Sequence, residues 1–188
     1  MTIKNILFIG AIAHLVIFCA VPALAHVEGH MPDSVAEMEY RILLEFKPRD
    51  VATRVKLATV LMNQDKLAEA EEEFHKALGA KPRDLQAHIG LTLLMLRQNK
   101  VSEALAMIEE GVEIDPERAI VYLYYGLALE ADKRPRESLQ MYRLGLGKLE
   151  KNSSDPEYQH DREQLTEALS KLEANLKKAA PGKEETIP

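Results

Sequence analysis

The sequence predicts an all-α chain, a right-handed α-solenoid of helix-turn-helix repeats with an N-terminal half-repeat helix and a long C-terminal capping helix. Three observations carry this. Prolines recur at Pro48, Pro82 and Pro116, 34 residues apart each time, and a fixed period of about 20–50 residues is the mark of repeat architecture. Large and small apolar residues recur in step with those prolines. The composition, 46 % hydrophobic and 29 % charged with 9 Gly and 9 Pro in 188 residues, is that of a globular chain and excludes wholesale disorder or a collagen-like repeat.

Residues 1–25 read as an export signal. Lys4 supplies a positive start, Ile6 to Val21 is almost wholly apolar, and Pro22-Ala23-Leu24-Ala25 ends in an Ala-x-Ala pattern that places cleavage after Ala25. The apolar run is shorter than the roughly 20 residues of a spanning helix; retained, it would serve as an inner-membrane anchor. Cys19 follows Phe18, which is unlike a lipoprotein signal, and as the single cysteine it permits no intramolecular disulfide and no Cys-based metal motif. Cleavage removes Lys4 alone among the charged residues, taking the formal charge from −6 to −7. The chain is thus expected in the periplasm. Residues 26–33 form a flexible leader.

Ser34 to Phe46 then reads as a helix, with Pro32 before it and Ser34 and Glu37 spaced as a capping box. Three blocks follow, 51–84, 85–118 and 119–152. Their seventh positions are Leu57, Leu91 and Tyr125, and their eighth Ala58, Thr92 and Gly126. The eleventh are Leu61, Met95 and Leu129, the twentieth Ala70, Ala104 and Ser138. The twenty-fourth are Phe74, Ile108 and Tyr142, the twenty-seventh Ala77, Gly111 and Gly145. Two antiparallel helices in close contact require this, large side chains where space exists and small ones where backbones approach. Polar turns over Asn63 to Lys66, Gln98 to Lys100 and Asp132 to Arg134 divide each block. In the same register, 34–48 is a lone second helix, with Ala36, Tyr40, Leu43 and Pro48 at positions twenty, twenty-four, twenty-seven and thirty-two.

After a polar loop around Lys151 to Asp155, with a glycosylation-type triplet at Asn152-Ser153-Ser154, the pattern predicts a capping helix over 155–178. Leu165, Leu169, Leu172 and Leu176 give it one narrow apolar face, while Glu167 with Lys171 and Glu173 with Lys177 are spaced for outward ion pairs. Residues 179–188 are expected to be disordered. Eight helices and no strands follow, stabilised by repeat positions whose large apolar side chains each contribute roughly 1.5–3 kcal/mol.

These residues resemble the tetratricopeptide repeat family. Its pattern has an aromatic at position four, Leu at seven, Gly at eight, Tyr at eleven, Ala at twenty, an aromatic at twenty-four, Ala at twenty-seven and Pro at thirty-two. Leu57, Ala70, Phe74, Ala77 and Pro82 match in the first block; Leu91, Ala104 and Pro116 in the second, with Ile108 as an apolar stand-in; Tyr122, Gly126 and Tyr142 in the third, where Glu150 replaces proline. Arg54 and His88 depart from the aromatic at position four, and looser packing is expected there. The resemblance implies that first helices line a concave face through positions two, five, nine, twelve and thirteen. Carried over, the groove comprises Val55, Thr59 and Met62; Gln86, Ile89, Leu93, Leu96 and Arg97; and Ile120, Leu123, Leu127 and Glu130, with Ala52, Asn63 and Ala131 at its margins. Val55 with Thr59, and Ile89 with Leu93, stand where family members that clamp a carboxylate carry Lys and Asn, so that clamp is absent.

Six large aliphatic residues on one concave surface exceed the apolar patch a monomer leaves open. A segment of another protein, a second copy of the chain or the last helix folded back would cover them. The first gives the expected function, an extracytoplasmic adaptor or scaffold that binds an apolar segment of a partner protein; exported family members point to assembly of an envelope complex such as cytochrome maturation or pilus and secretion machinery. The second is a self-associating structural spacer, joined through the stripe or the Leu165–Leu176 seam. A third reading is copper binding: cleavage after Ala25 would set a free α-amine beside the His26 imidazole, with His30 near, although a histidine there is more commonly incidental. His14, His75, His88 and His160 are scattered and read as packing or surface residues. No phosphate loop, nucleophile elbow, metalloprotease pair or haem-attachment motif occurs, so the chain is expected to be no enzyme and to carry no cofactor. With 24 basic against 30 acidic residues it offers no electrostatic footprint for nucleic acid.

Overall fold

The proline period becomes a repeated turn. Asp50 N–H donates to Lys47 O at 3.1 Å, Asp84 N–H to Lys81 O at 3.1 Å and Arg118 N–H to Asp115 O at 3.3 Å. Pro48, Pro82 and Pro116 each sit second in these four-residue turns, where a φ fixed near −65° is required. The residue that closes the turn starts the next helix. Asp50 accepts from Ala52 N–H at 3.2 Å and from the Thr53 hydroxyl at 2.8 Å, and Asp84 accepts from Ala87 N–H at 3.1 Å. Arg118 holds that place in the third repeat without a side-chain cap.

The structure, a computed structural model, describes residues 32–150 and 156–179. Among the described residues there are eight helices and no strand: α1 (Asp33–Phe46), α2 (Val51–Asn63), α3 (Leu67–Ala80), α4 (Leu85–Arg97), α5 (Val101–Ile114), α6 (Ala119–Ala131), α7 (Pro135–Glu150) and α8 (Pro156–Ala179). All belong to one compact unit that begins at Asp33. The expected signal segment, most of the leader, the 151–155 loop with its triplet and the tail beyond Ala179 lie outside the described residues, as do His26 and His30.

Within each repeat the two helices are joined by one motif. Asp65, Asn99 and Lys133, all at the fifteenth position, adopt φ of 62°, 59° and 61°. The following N–H reaches back across the helix end, Lys66 to Leu61 O at 2.9 Å, Lys100 to Met95 O at 2.8 Å and Arg134 to Leu129 O at 2.9 Å. This left-handed closure reverses the chain in three residues while satisfying the last carbonyls.

The reversal brings the large-small pattern together. Leu57, Leu61, Leu91, Leu129, Phe74, Ile108 and Tyr142 are buried beside the small Ala58, Thr92, Gly126, Ala70, Ala104, Ser138, Ala77, Gly111 and Gly145. The closest approaches involve aromatic rings on glycine backbones. A Cβ built on Gly90 would enter the Phe74 ring, and one on Gly126 the Tyr142 ring. Tyr125, at a seventh position, is only half-buried.

Position four is not loose. The Arg54 guanidinium donates to Pro48 O at 2.6 Å and to Glu73 at 2.6 Å, and the Tyr122 hydroxyl donates to Pro116 O at 2.8 Å. Arginine and tyrosine thus tie the same helix start to the same turn carbonyl, six residues back. His88 is buried, with Nδ1 2.8 Å from Asp84 O and Nε2 3.3 Å from Glu110.

At the ends the outcome is mixed. On α8, Leu165 and Leu172 are buried and Leu169 and Leu176 half-buried against α6 and α7, so the leucine seam is internal. Glu173 accepts from Arg143 of α7 at 2.9 Å, in place of the expected pairing along its own helix with Lys177. On α1, Ser34 lies inside the helix, and Glu37 accepts from Lys66 at 2.7 Å and Arg41 at 2.9 Å rather than closing a capping box. Leu43, expected to be buried, is exposed because no described helix precedes α1, which packs on α2 and reaches α3 through the Arg41–Glu69 ion pair.

Gly126→Ala should destabilise the array by about 1–3 kcal/mol, since the buried Tyr142 ring must leave its site. Thermal melting would show this as a fall of several degrees, and an unchanged midpoint would mean the contact is not tight.

Candidate partner-binding groove

The pattern of helix contacts determines which face is inner. First helices of successive repeats touch, α2 with α4, α4 with α6 and α6 with α8, whereas among the described residues the second helices α3, α5 and α7 do not touch one another. An array whose first helices are closer together than its second helices bends with the first helices inside. The row α2, α4 and α6, ended by α8, is therefore the floor of the candidate groove.

The structure divides the twelve predicted groove residues into three groups. Met62, Ile89, Ile120 and Leu123 are buried; the last three join one cluster with Leu165 and Leu172 of α8. The first-helix stripe has two roles, because the side chains that face inward also pack neighbouring first helices together. The chain itself thus covers half of the six large aliphatic residues. Val55, Leu93, Leu96, Leu127 and Glu130 are half-buried, and Thr59, Gln86 and Arg97 exposed. Tyr124, half-buried on α6, was not among the predicted residues; burial and the nearby Asp161 carboxylate raise the pKa of its hydroxyl.

Three polar members of the row, Arg97, Glu130 and Thr59, are internally engaged, while Gln86 is exposed. Arg97 reaches from α4 to Met62 O at 2.5 Å, bonding a terminal carbonyl of α2, with Asp65 3.9 Å away. Glu130 accepts a short hydrogen bond from Tyr142, whose phenol burial and this carboxylate together push well above its ordinary pKa. The Thr59 hydroxyl donates to Val55 O at 2.9 Å. What remains on the floor is an apolar strip formed by Val55, Leu93, Leu96 and Leu127, with the exposed Gln86 and the Arg97 guanidinium, which is bonded to Met62 O, beside it.

The largest exposed apolar side chains lie elsewhere. Val35, Met38, Ile42, Leu43 and Phe46 form an exposed face on α1, and Leu144 is exposed singly on α7. The spacing of the α1 residues was readable in the sequence as one face of a helix, but not that the face lacks a cover among the described residues. α1 is held on its other side by Glu37 to Lys66, by Arg41 to Glu69 at 2.6 Å and by buried Ala36.

Two family models, each described as tetratricopeptide repeat, match residues 61–124 and 93–156, together just over half of the chain. The chain belongs to the tetratricopeptide repeat family. No curated protein matches it in sequence. Among solved structures it is similar to TTC0263, a thermophilic repeat protein of Thermus thermophilus, at 15 % identity and a TM-score of 0.62, over 80 % of this chain and 84 % of that one. It is also similar to the Sgt2 repeat domain of Aspergillus fumigatus, at 14 % identity and a TM-score of 0.59, over 74 % and 87 %. The Yersinia enterocolitica type III secretion chaperone SycD, solved with a peptide of the translocator YopD, matches at 14 % identity and a TM-score of 0.56, over 66 % and 93 %. At these identities the likeness is one of fold.

The Lys66 ammonium, with Arg41 beside it, holds the Glu37 carboxyl down at about 2 against an ordinary 4.5. A depressed carboxylate pKa stabilises the fold above the unfolded-state value, and that contribution is lost as pH falls through the folded-state one. The melting-temperature gap between wild type and Glu37→Gln should therefore be full at pH 7 and close as pH falls from about 4.5 towards about 2. A gap independent of pH would show that the ion pair does not secure α1.

Proposed function

We propose that the chain is an extracytoplasmic interaction scaffold, with no catalytic role, whose inner face takes an apolar helical segment of a partner protein. The observation that carries this is the state of the α2–α4–α6 row. Arg97, Glu130 and Thr59 are engaged by the chain itself, while Val55, Leu93, Leu96 and Leu127 keep part of their apolar surface accessible. Such a floor recognises a ligand by apolar anchors at helical spacing, with little charge steering. The fold likeness to SycD, a chaperone solved with a translocator peptide, supports a peptide-segment ligand. The export pattern of residues 1–25 supports a periplasmic site of action, with assembly of an envelope complex as the setting. Among the described residues no helix is long and apolar enough to cross a membrane.

Leu93→Glu with Leu127→Glu places two charges on the strip without touching the buried Ile89, Ile120 or Leu123. The double variant should keep its helical circular dichroism and lose at least tenfold in capture of the proteins that co-purify with the wild-type chain from an envelope fraction. Undiminished capture of the same proteins would contradict the groove.

A further inference from the structure

The two ends of the array differ in chemistry. At the C-terminal end, α8 turns Gln159, Glu163, Glu167, Ser170, Lys171 and Lys178 outward, all exposed. At the N-terminal end, Val35, Met38, Ile42, Leu43 and Phe46 of α1 are 43, 59, 48, 42 and 80 % exposed. A head-to-tail stack would bury the charges of α8 against this apolar face, an unfavourable arrangement. The sequence upstream does not carry the first-helix pattern of the repeats either. In the 34-residue register, Pro22 falls at position six, Ala23 where Leu57, Leu91 and Tyr125 stand, and Leu24 where Ala58, Thr92 and Gly126 stand. The surface that suits the face of α1 is another α1.

We propose that α1 is the interface of a homodimer, in which two copies meet head to head with their α1 helices antiparallel about a two-fold axis. The exposed stripe is its own complement. With Glu39 it occupies positions 35, 38, 39, 42, 43 and 46, a set that maps onto itself when the helix is reversed about the point between Tyr40 and Arg41. Reversal sets Val35 against Phe46, Met38 against Leu43 and Glu39 against Ile42, so the one charge in the stripe does not oppose its own copy. Such an isologous contact closes on itself and leaves no free apolar end. The stripe is about 16 Å long, which puts the buried area at the small end of specific interfaces, below about 1,200 Å² in total. A contact of that size fits a reversible dimer, and it leaves the α2–α4–α6 row free.

Sedimentation of residues 26–188, which contain the whole compact unit, tests this over about 1–200 µM. A monomer–dimer equilibrium is expected. Ile42→Glu, and separately Phe46→Glu, should weaken it at least tenfold with unchanged helical circular dichroism, whereas Leu93→Glu should leave it intact. Adding Glu39→Lys to Ile42→Glu should restore dimerisation, because reversal places positions 39 and 42 of the two copies side by side. A monomer throughout the range would assign the face to another occupant, a different protein or residues 26–32, and overturn the proposal. Growth beyond a dimer, a dimer indifferent to both single substitutions, or a double variant without recovery would overturn it as well.

Discussion

The array depends on the seating of a ring against a glycine. Phe74 on Gly90 and Tyr142 on Gly126 bring helix backbones to a separation that any Cβ would prevent. The first joins one repeat to the next and the second joins the two helices within a repeat. A repeat alone has too little apolar surface to bury, so stability comes from such joints between neighbours. The turns supply the approach: proline at the second place of each inter-repeat turn, and a left-handed residue at the fifteenth position of each repeat, fix where the next helix begins before any packing occurs.

The same geometry limits the groove. First helices that touch along the inner row must bury part of the stripe they present, so Ile89, Ile120 and Leu123 serve the core and Leu93, Leu96 and Leu127 retain some access. The charges of that row go the same way, Arg97 to the Met62 carbonyl and Glu130 to the Tyr142 hydroxyl. The inner surface is thereby an apolar strip rather than an open charged cleft. Its chemistry favours a ligand that brings its own apolar helix face.

Most of the architecture was legible because it rests on local pattern. The 34-residue proline spacing, the small residues at positions eight, twenty and twenty-seven and the leucines at Leu165 and Leu172 all report contacts within the repeat or to its neighbour. Burial on the inner row was not legible, since the period that marks a helix face cannot say how much of that face the next helix takes. Position four misled for a different reason. Arg54 reaches the Pro48 carbonyl with two guanidinium N–H groups as Tyr122 reaches that of Pro116 with its hydroxyl, so unlike side chains do the same work. Leu43 shows the limit of register: a residue at a core position is buried only if a helix covers it, and no described helix precedes α1.

The central claim is that the inner row of first helices receives the partner. Hydrogen exchange of the chain, alone and with a captured partner segment bound, reads that surface directly. Slowed exchange along α2, α4 and α6 is the predicted result. Slowing confined to α1, or to the outer helices α3, α5 and α7, would contradict it.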